Sequence, residues 1–392
     1  MDESVQALLR ERKQLFADVT RGIKPARVPT LSNVWSWKVF DAGYNLTQAL
    51  YDYDKMADAV YQFQRKYNFD ANFDIGGRNP VQVLNQFEAE IYHLDEAGES
   101  ISFVDRDMLS GPEDMQRMAE RGYFRSAIED ILPAKYNLKD TDDAIDRLVK
   151  AAKAYSDFMS FLSKVQTNLT ERFGVPSLAY ARYDLPMELV FSGGLRGIRS
   201  FSIDMRRNGA VLEELMERIR EETEPSFIQK ISTFPADSSR VLYPARVTLL
   251  AHTVMNQKQF ARFCWPQLKR YADLLEARDL TGVIMAEGKI GHLTEFFQQL
   301  PKDRFILLIE NDDPAELRRQ LPNLTIAGGY PRELLATGTK EACVDKIKEL
   351  LDTVAYDGRW IYSQNKMVSF RNDVKAENLL AVSEYLQLHG TY

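Results

Sequence analysis

The chain has 392 residues, of which 45% are hydrophobic and 27% charged, the proportions of a folded globular protein with a large core rather than a disordered or fibrous one. Lys plus Arg number 50 against 57 Asp plus Glu, for a formal charge of -7. That balance argues against a dedicated nucleic-acid or anionic-membrane binder, because both need a basic surface.

Two cysteines, Cys264 and Cys343, make no disulfide framework and read as thiols in a reducing compartment. No apolar run approaches the roughly 20 residues that cross a bilayer. The opening MDESVQALLRERKQLF is charged and helical, without the apolar centre of a secretion signal. A cytoplasmic protein is expected.

From Met1 to about Arg220 the pattern is helical with irregular joints. Arg27–Trp37 is the first strand candidate, and Asp54–Lys66 reads as helix. Asn68–Gly77 is a strand or a loop. Gln82–Glu90 and Met115–Arg121 look helical, and a long helix is expected over Thr141–Phe173. A Gly-rich hinge, Phe191–Gly197, follows. From Arg246 the pattern becomes regular. Short apolar runs at Arg246–His252, Gly282–Gly288, Arg304–Glu310, Leu324–Gly329 and Arg359–Ser363 alternate with helical stretches at Gln257–Ala277, Leu293–Leu300, Pro314–Gln320, Lys340–Val354 and Lys375–His389. Apolar strands alternating with helices indicate βα units and a parallel sheet buried on both faces. Five such units ending the chain fit a TIM-type barrel, with residues 1–392 as one domain.

On such a fold the chemistry sits at the C-terminal strand ends. There stand His252, Glu287 with Lys289, Glu310 with Asp312 and Asp313, Gly328 and Gly329 with Tyr330, and Ser363 with Gln364. His252 and Glu287 are candidates for proton transfer or metal ligation, with Glu310 as a third ligand. The bland alternative for His252 is a structural histidine, and for Asp313, which precedes Pro314, a helix cap. Trp35, Trp37, Phe40 and Tyr44 could line an apolar or aromatic pocket, or be ordinary core. Gln86, Lys289 and Tyr330 complete the candidate substrate contacts. Two glycine groups, Gly193-Gly194 with Arg196 and Gly197, and Gly328-Gly329, match no phosphate-loop motif and serve close packing equally well.

QFEAEIYHLDE (Gln86–Glu96), LRGIRSFSIDMRRN (Leu195–Asn208), QFARFCWPQLKRYADLL (Gln259–Leu275), GGYPRELLATGTKEACVDKIKELLD (Gly328–Asp352) and VKAENLLAVSEYLQLHGTY (Val374–Tyr392) resemble, in order and spacing, the uroporphyrinogen decarboxylase superfamily. The nearest branch is the decarboxylase-like, corrinoid-dependent methyltransferases of the O-demethylase type. The resemblance implies a TIM (β/α)8 barrel with extra N-terminal helices. It also implies methyl transfer from a small methylated substrate, an aromatic methoxy compound for instance, to a corrinoid held by a partner protein. Neither nucleic acid nor membrane would take part, and a homodimer is compatible with it.

The chain departs from the family in places. RVPTLSNVWSW is not the Arg-rich signature of the true decarboxylases. Where thiol-methylating members carry a His-x-Cys zinc motif, this chain reads Glu287-Gly288-Lys289. Where others carry His-x-Asp, Met285 falls on the His and Glu287 on the acid. The common GDVP is Gly328-Gly329-Tyr330-Pro331 here. Zinc thus lacks its usual ligands, and any metal would rest on Glu287, Glu310 and His252. Two alternatives stay open. One is decarboxylation of a tetrapyrrole or aromatic acid, ringed by Arg196, Arg199, Arg206 and Arg207. The other is a non-catalytic homologue.

Overall fold

The computed structural model describes residues 2–75, 79–235 and 240–391. Its framework is parallel strand. The segments are β1 (Leu31–Ser32), β2 (Ala71–Asn72), a short antiparallel hairpin β3 (Tyr92–Leu94) and β4 (Ile101–Phe103), then β5 (Ser177–Tyr183), β6 (Val241–Leu249), β7 (Gly282–Ala286), β8 (Phe305–Ile309), β9 (Thr325–Gly328) and β10 (Trp360–Ile361). β5 to β10 form one six-stranded parallel sheet in chain order. β1 pairs with β2 in parallel. β1 also joins β10 through the Thr30–Tyr362 bridge, with Leu31 N–H donating to Tyr362 O at 2.8 Å. The hydrogen-bonded series therefore runs β2-β1-β10-β9-β8-β7-β6-β5. Among the described residues no ladder joins β5 to β2.

Strand side chains alternate between two faces, and the two faces bury two separate cores. Leu31, Ala71, Leu178, Tyr243, Met285, Leu308, Ala327 and Ile361 share one cluster, so each of the eight parallel segments contributes to it. Their neighbours in sequence, among them Ile284, Leu307, Ile326 and Trp360, pack against the helices in another. Burial on both faces is why FILLI and GVIMA read as unbroken apolar runs.

Helix Glu3–Thr20 seals the N-terminal strand ends. It is capped by Asp2, whose side chain accepts from Ser4 N–H. Phe16 and Val19, on one helical face, enter the inner cluster. Thr325 at the start of β9 donates its hydroxyl to Val19 O at 2.6 Å, and the Thr20 and Tyr243 hydroxyls meet at 2.9 Å. Beside it Asp70 is buried between Arg12 (3.2 Å) and Arg27 (2.7 Å). Burial alone would raise the Asp70 carboxyl, but the two guanidiniums outweigh it and hold it below its ordinary value. A third cluster, with Phe40, Leu46, Val60, Phe158, Phe161 and Leu169, ties the N-terminal helices to helix Thr141–Phe173.

Several expectations change. Arg27–Trp37 yields a two-residue strand, and Trp37 already begins a helix to Asp41. Gln82–Glu90 is helical only over Val81–Leu84, and the hairpin follows it. The segment Asn68–Gly77 contributes β2, while Gly76 and Gly77 lie outside the described residues. β5 was not expected. β6 spans Val241–Leu249, so His252 falls in a 3-10 turn, Ala251–Val254, rather than on a strand.

Candidate functional site

At the C-terminal ends of the strands lies a cavity of about 380 Å³ lined by Trp35, Phe73, Glu188, Thr248, Met285 and Glu287, with Arg182, Asp184 and Met367 at its edge. On β7 the alternation is direct: Met285 faces the inner cluster, Ala286 the outer one, and Glu287 emerges into the cavity. Phe73 stacks on Trp35, with centroids 6.0 Å apart at 22°. Its ring also carries the Arg246 guanidinium at 5.1 Å. Trp35 Nε1–H donates to Asn33 Oδ1 at 2.9 Å, which fixes the indole at the rim. Arg182 and Asp184 form an ion pair beside it.

Glu188 is the unusual group. β5 ends at Tyr183, and Pro186 starts a short helix, Pro186–Phe191, that lays Glu188 over the end of β6. Its Oε1 accepts the N–H groups of Leu250 at 2.7 Å and Ala251 at 2.8 Å. Only 7% of the residue is exposed. Burial pushes its carboxyl up from 4.5 to about 7, against the pull of those two N–H groups and of Ser192 and Arg182. A carboxylic acid able to hold its proton near neutrality therefore stands in the cavity wall.

A second cavity of about 480 Å³ adjoins the first and shares Trp35, Asn79 and Met367 with it. Glu310, Arg332 and Lys366 line it. Glu310 Oε2 accepts Gly288 N–H at 2.8 Å. Burial raises the Glu310 carboxyl, while Gly288, Lys366 and Arg332 oppose the rise.

The site residues expected from sequence divide. Glu287 and Trp35 line the first cavity, and Glu310 and Trp35 the second. His252 lines neither. It is fully buried, and burial together with His292 lowers it to about 4, with the Glu287 main chain pulling the other way. The chain turns at Leu250, before His252, and the turn carries the ring into packed interior. His252 thus shares neither cavity with Glu287 or Glu310, and among the described residues no three His, Cys, Asp or Glu side chains are grouped to hold a metal. One carboxylate beside the Met285 thioether is not a zinc donor set, so these residues do not fit that metal.

Trp37 is core, its Nε1–H bonded to Arg371 O at 3.2 Å. Tyr330 is likewise buried, its hydroxyl on Cys343 O at 3.0 Å. Tyr44 donates to Asp58 at 2.9 Å, and Gln86 donates to Gln82 O at 3.0 Å. Lys289 is exposed, and none of these five lines either cavity. Asp313 is a helix cap, accepting Glu316 N–H at 2.8 Å. Gly328 and Gly329 have φ of +92° and +80°, and a Cβ on Gly328 would come within 2.7 Å of Ile309 O, so close packing accounts for the pair. Of the four arginines a decarboxylase would need, Arg196 is buried against Asp204 at 2.7 Å, and Arg199, Arg206 and Arg207 are exposed away from the cavities.

Sequence reasoning missed Glu188, Phe73, Arg332 and Lys366. A signal existed for the strand and helix that carry Glu188, though not for Glu188 itself: SLAYARY alternates small or apolar with larger residues ahead of a Pro-initiated turn.

No protein-family model matches the sequence, and no curated protein matches it. In three dimensions the chain is similar to a methyltransferase from Methanosarcina mazei, with a TM-score of 0.63 and 13% identity over 96% of this chain and 98% of that one. At that identity the likeness establishes a shared α/β fold along nearly the whole chain.

Proposed function

We propose that this protein is a cytoplasmic methyltransferase of the uroporphyrinogen decarboxylase-like, corrinoid-dependent kind, its eight parallel segments closed as a (β/α)8 barrel in one domain. It would move a methyl group from a small methylated substrate to the corrinoid of a partner protein. The inner cluster fed by all eight segments supports the barrel, and the full-length fold likeness to a methyltransferase supports the activity class. The observation that carries the chemistry is Glu188, a buried acid in the cavity wall.

A corrinoid carried by a partner protein would supply the nucleophile that takes the methyl group. This chain's work is on the atom left behind. As the carbon–heteroatom bond breaks, its electron pair stays on the oxygen, nitrogen or sulfur, and that atom needs a proton. Glu188 Oε1 is committed to two N–H groups, so the proton sits on Oε2 and passes from there to the leaving atom. Glu188 is left as a carboxylate and regains its proton from solvent. Trp35 and Phe73 wall the cavity and keep the transfer dry, which strengthens each polar contact inside. Glu287 faces the same space and can hold the substrate's polar end.

The test is transfer from a panel of methoxy, methylamino and methylthio donors to a reduced corrinoid protein. Glu188→Gln should slow donors with basic leaving groups by about 100-fold or more, and spare donors that leave without protonation. No transfer from any donor by the wild type would remove the proposal.

A further inference from the structure

A third cavity, of about 500 Å³, meets the first at Ser192 and Leu250, which line both. Ile91, Phe103, Met108, Phe191, Ile198 and Val254 give it a large apolar surface. Phe103 and Ile198 are more than half exposed, so the cavity opens to solvent. Its two hydroxyls are committed: Ser192 Oγ donates to Glu188 O at 2.9 Å and Thr253 Oγ1 to Leu250 O at 2.7 Å. The remaining polar side chains are charged, two cations and one carboxylate: Arg106, Lys135 and Asp105. Arg106 follows β4 and donates one N–H to Glu90 O at 2.6 Å. Lys135 is half-buried on the short helix Leu132–Tyr136, with the ring of the adjacent Tyr136 5.9 Å from its Nζ. Neither cation forms an ion pair among the described residues. Burial and the Arg106 charge both push the Lys135 ammonium below its ordinary pKa, and no carboxylate pulls it back. Asp105 is exposed and lies against Gly197, its Oδ1 3.2 Å from where a Cβ there would stand. Two like charges that feel each other beside an apolar wall are costly until an anion joins them.

We infer that the third cavity is a binding site for an amphiphilic phosphomonoester, its dianionic head bridging Arg106 and Lys135 and its hydrocarbon body against Phe103, Phe191 and Ile198. A guanidinium fork beside an ammonium is a phosphate-type donor pair. A dianion compensates both charges, whereas a monocarboxylate leaves one of them bare. The apolar walls ask for a hydrocarbon body, which inorganic phosphate lacks. The cavity falls within the ~300–1,000 Å³ range of small-molecule sites. With a formal charge of -7 on the whole chain, the attraction is local to these two side chains. The inference is independent of the methyl-transfer reading, which uses the first cavity.

The experiment is calorimetric titration of the full chain by octyl phosphate, octanoate, 1-octanol and inorganic phosphate, at about pH 8, where the phosphomonoester is dianionic. Octyl phosphate should bind most tightly, octanoate less so, and octanol and inorganic phosphate about tenfold or more weaker than octyl phosphate. Lys135→Gln and Arg106→Gln should each weaken octyl phosphate by about 10- to 100-fold and leave octanol unchanged, whereas Lys135→Arg should retain most of the affinity. Melting without ligand checks that the variants are folded, and Lys135→Gln, which relieves a repulsion, should not lower the melting temperature. Lys366→Gln, in the second cavity, should leave octyl phosphate binding as it is. Octanol or octanoate as tight as octyl phosphate, no saturable binding, or indifference to Lys135→Gln or Arg106→Gln would overturn the inference. Loss of binding in Lys366→Gln would move the ligand to the second cavity and overturn it as well.

Discussion

Glu188→Gln also gives a test of stability that needs no substrate. The glutamine keeps an oxygen to accept the Leu250 and Ala251 N–H groups and removes the titration. In the folded chain the Glu188 carboxyl is raised from 4.5 to about 7. The native state therefore binds the proton more tightly than the unfolded state. Below about pH 4.5 both states are protonated and the carboxyl costs nothing. As pH rises toward 7 the unfolded chain ionises first, and stability drains away. Above about pH 7 both are ionised, and the native state carries the full cost of a buried carboxylate. With Glu188 only 7% exposed, that cost is about 3 kcal/mol. For a chain of 392 residues the melting entropy turns this into about 4 °C. Melting curves of wild type and variant should therefore draw apart by that amount between about pH 4.5 and pH 8, with the variant gaining. Parallel curves across that range would mean that Glu188 titrates as an ordinary carboxylate, and the acid assigned to the cavity would go with it.

His252 gives the opposite sign: lowered from 6.5 to about 4, it is neutral in the fold, so stability is lost as pH falls through that window. His252→Leu should resist acid better than wild type in urea titrations near pH 4.5, and a fully folded variant that has lost methyl transfer would restore the catalytic role expected from sequence. Asp70→Asn leaves the buried Arg12 without its counter-charge and the half-buried Arg27 with only Glu11, and should cost about 3–5 kcal/mol in urea unfolding at neutral pH. A loss under about 1 kcal/mol would show that the cluster is solvated.

The sequence made the C-terminal strands legible because β7, β8 and β9 are buried on both faces, and a two-sided core leaves an unbroken apolar run. β5 hid because its register exposes Tyr180 and Arg182, so no run forms. β1 and β2 are two residues each, too short for any period. Among site residues, Glu287 was legible from its place past a strand end. Trp35 and Trp37 look equivalent at a spacing of two, but the helix beginning at Trp37 ends the strand period and turns that ring into the core. His252 misled because the strand was extended past Leu249. Glu188 owes its importance to burial and to N–H groups 62 and 63 residues away, and nothing local in PMELVF reports that.

The placement of Glu188 also bears on why it would serve as the acid in a wall where the neighbouring β7 side chain is Met285. A thioether neither gives nor takes a proton at neutral pH, so on this reading proton transfer falls to the neighbouring wall. Burial by itself would drive a carboxyl far above neutrality and make it a weak acid. The paired N–H groups of Leu250 and Ala251 pull back, and the balance lands near 7, where a general acid is protonated yet still able to give the proton up. The same two donors then receive the carboxylate at 2.7 and 2.8 Å without rearranging, so the charge formed by proton release meets dipoles already in place. Replacing Ala251 with proline, which removes one of those N–H groups, should raise the apparent pKa of methyl transfer above about 7. An unchanged pH profile in a folded Ala251→Pro variant would show that the N–H pair does not tune the acid.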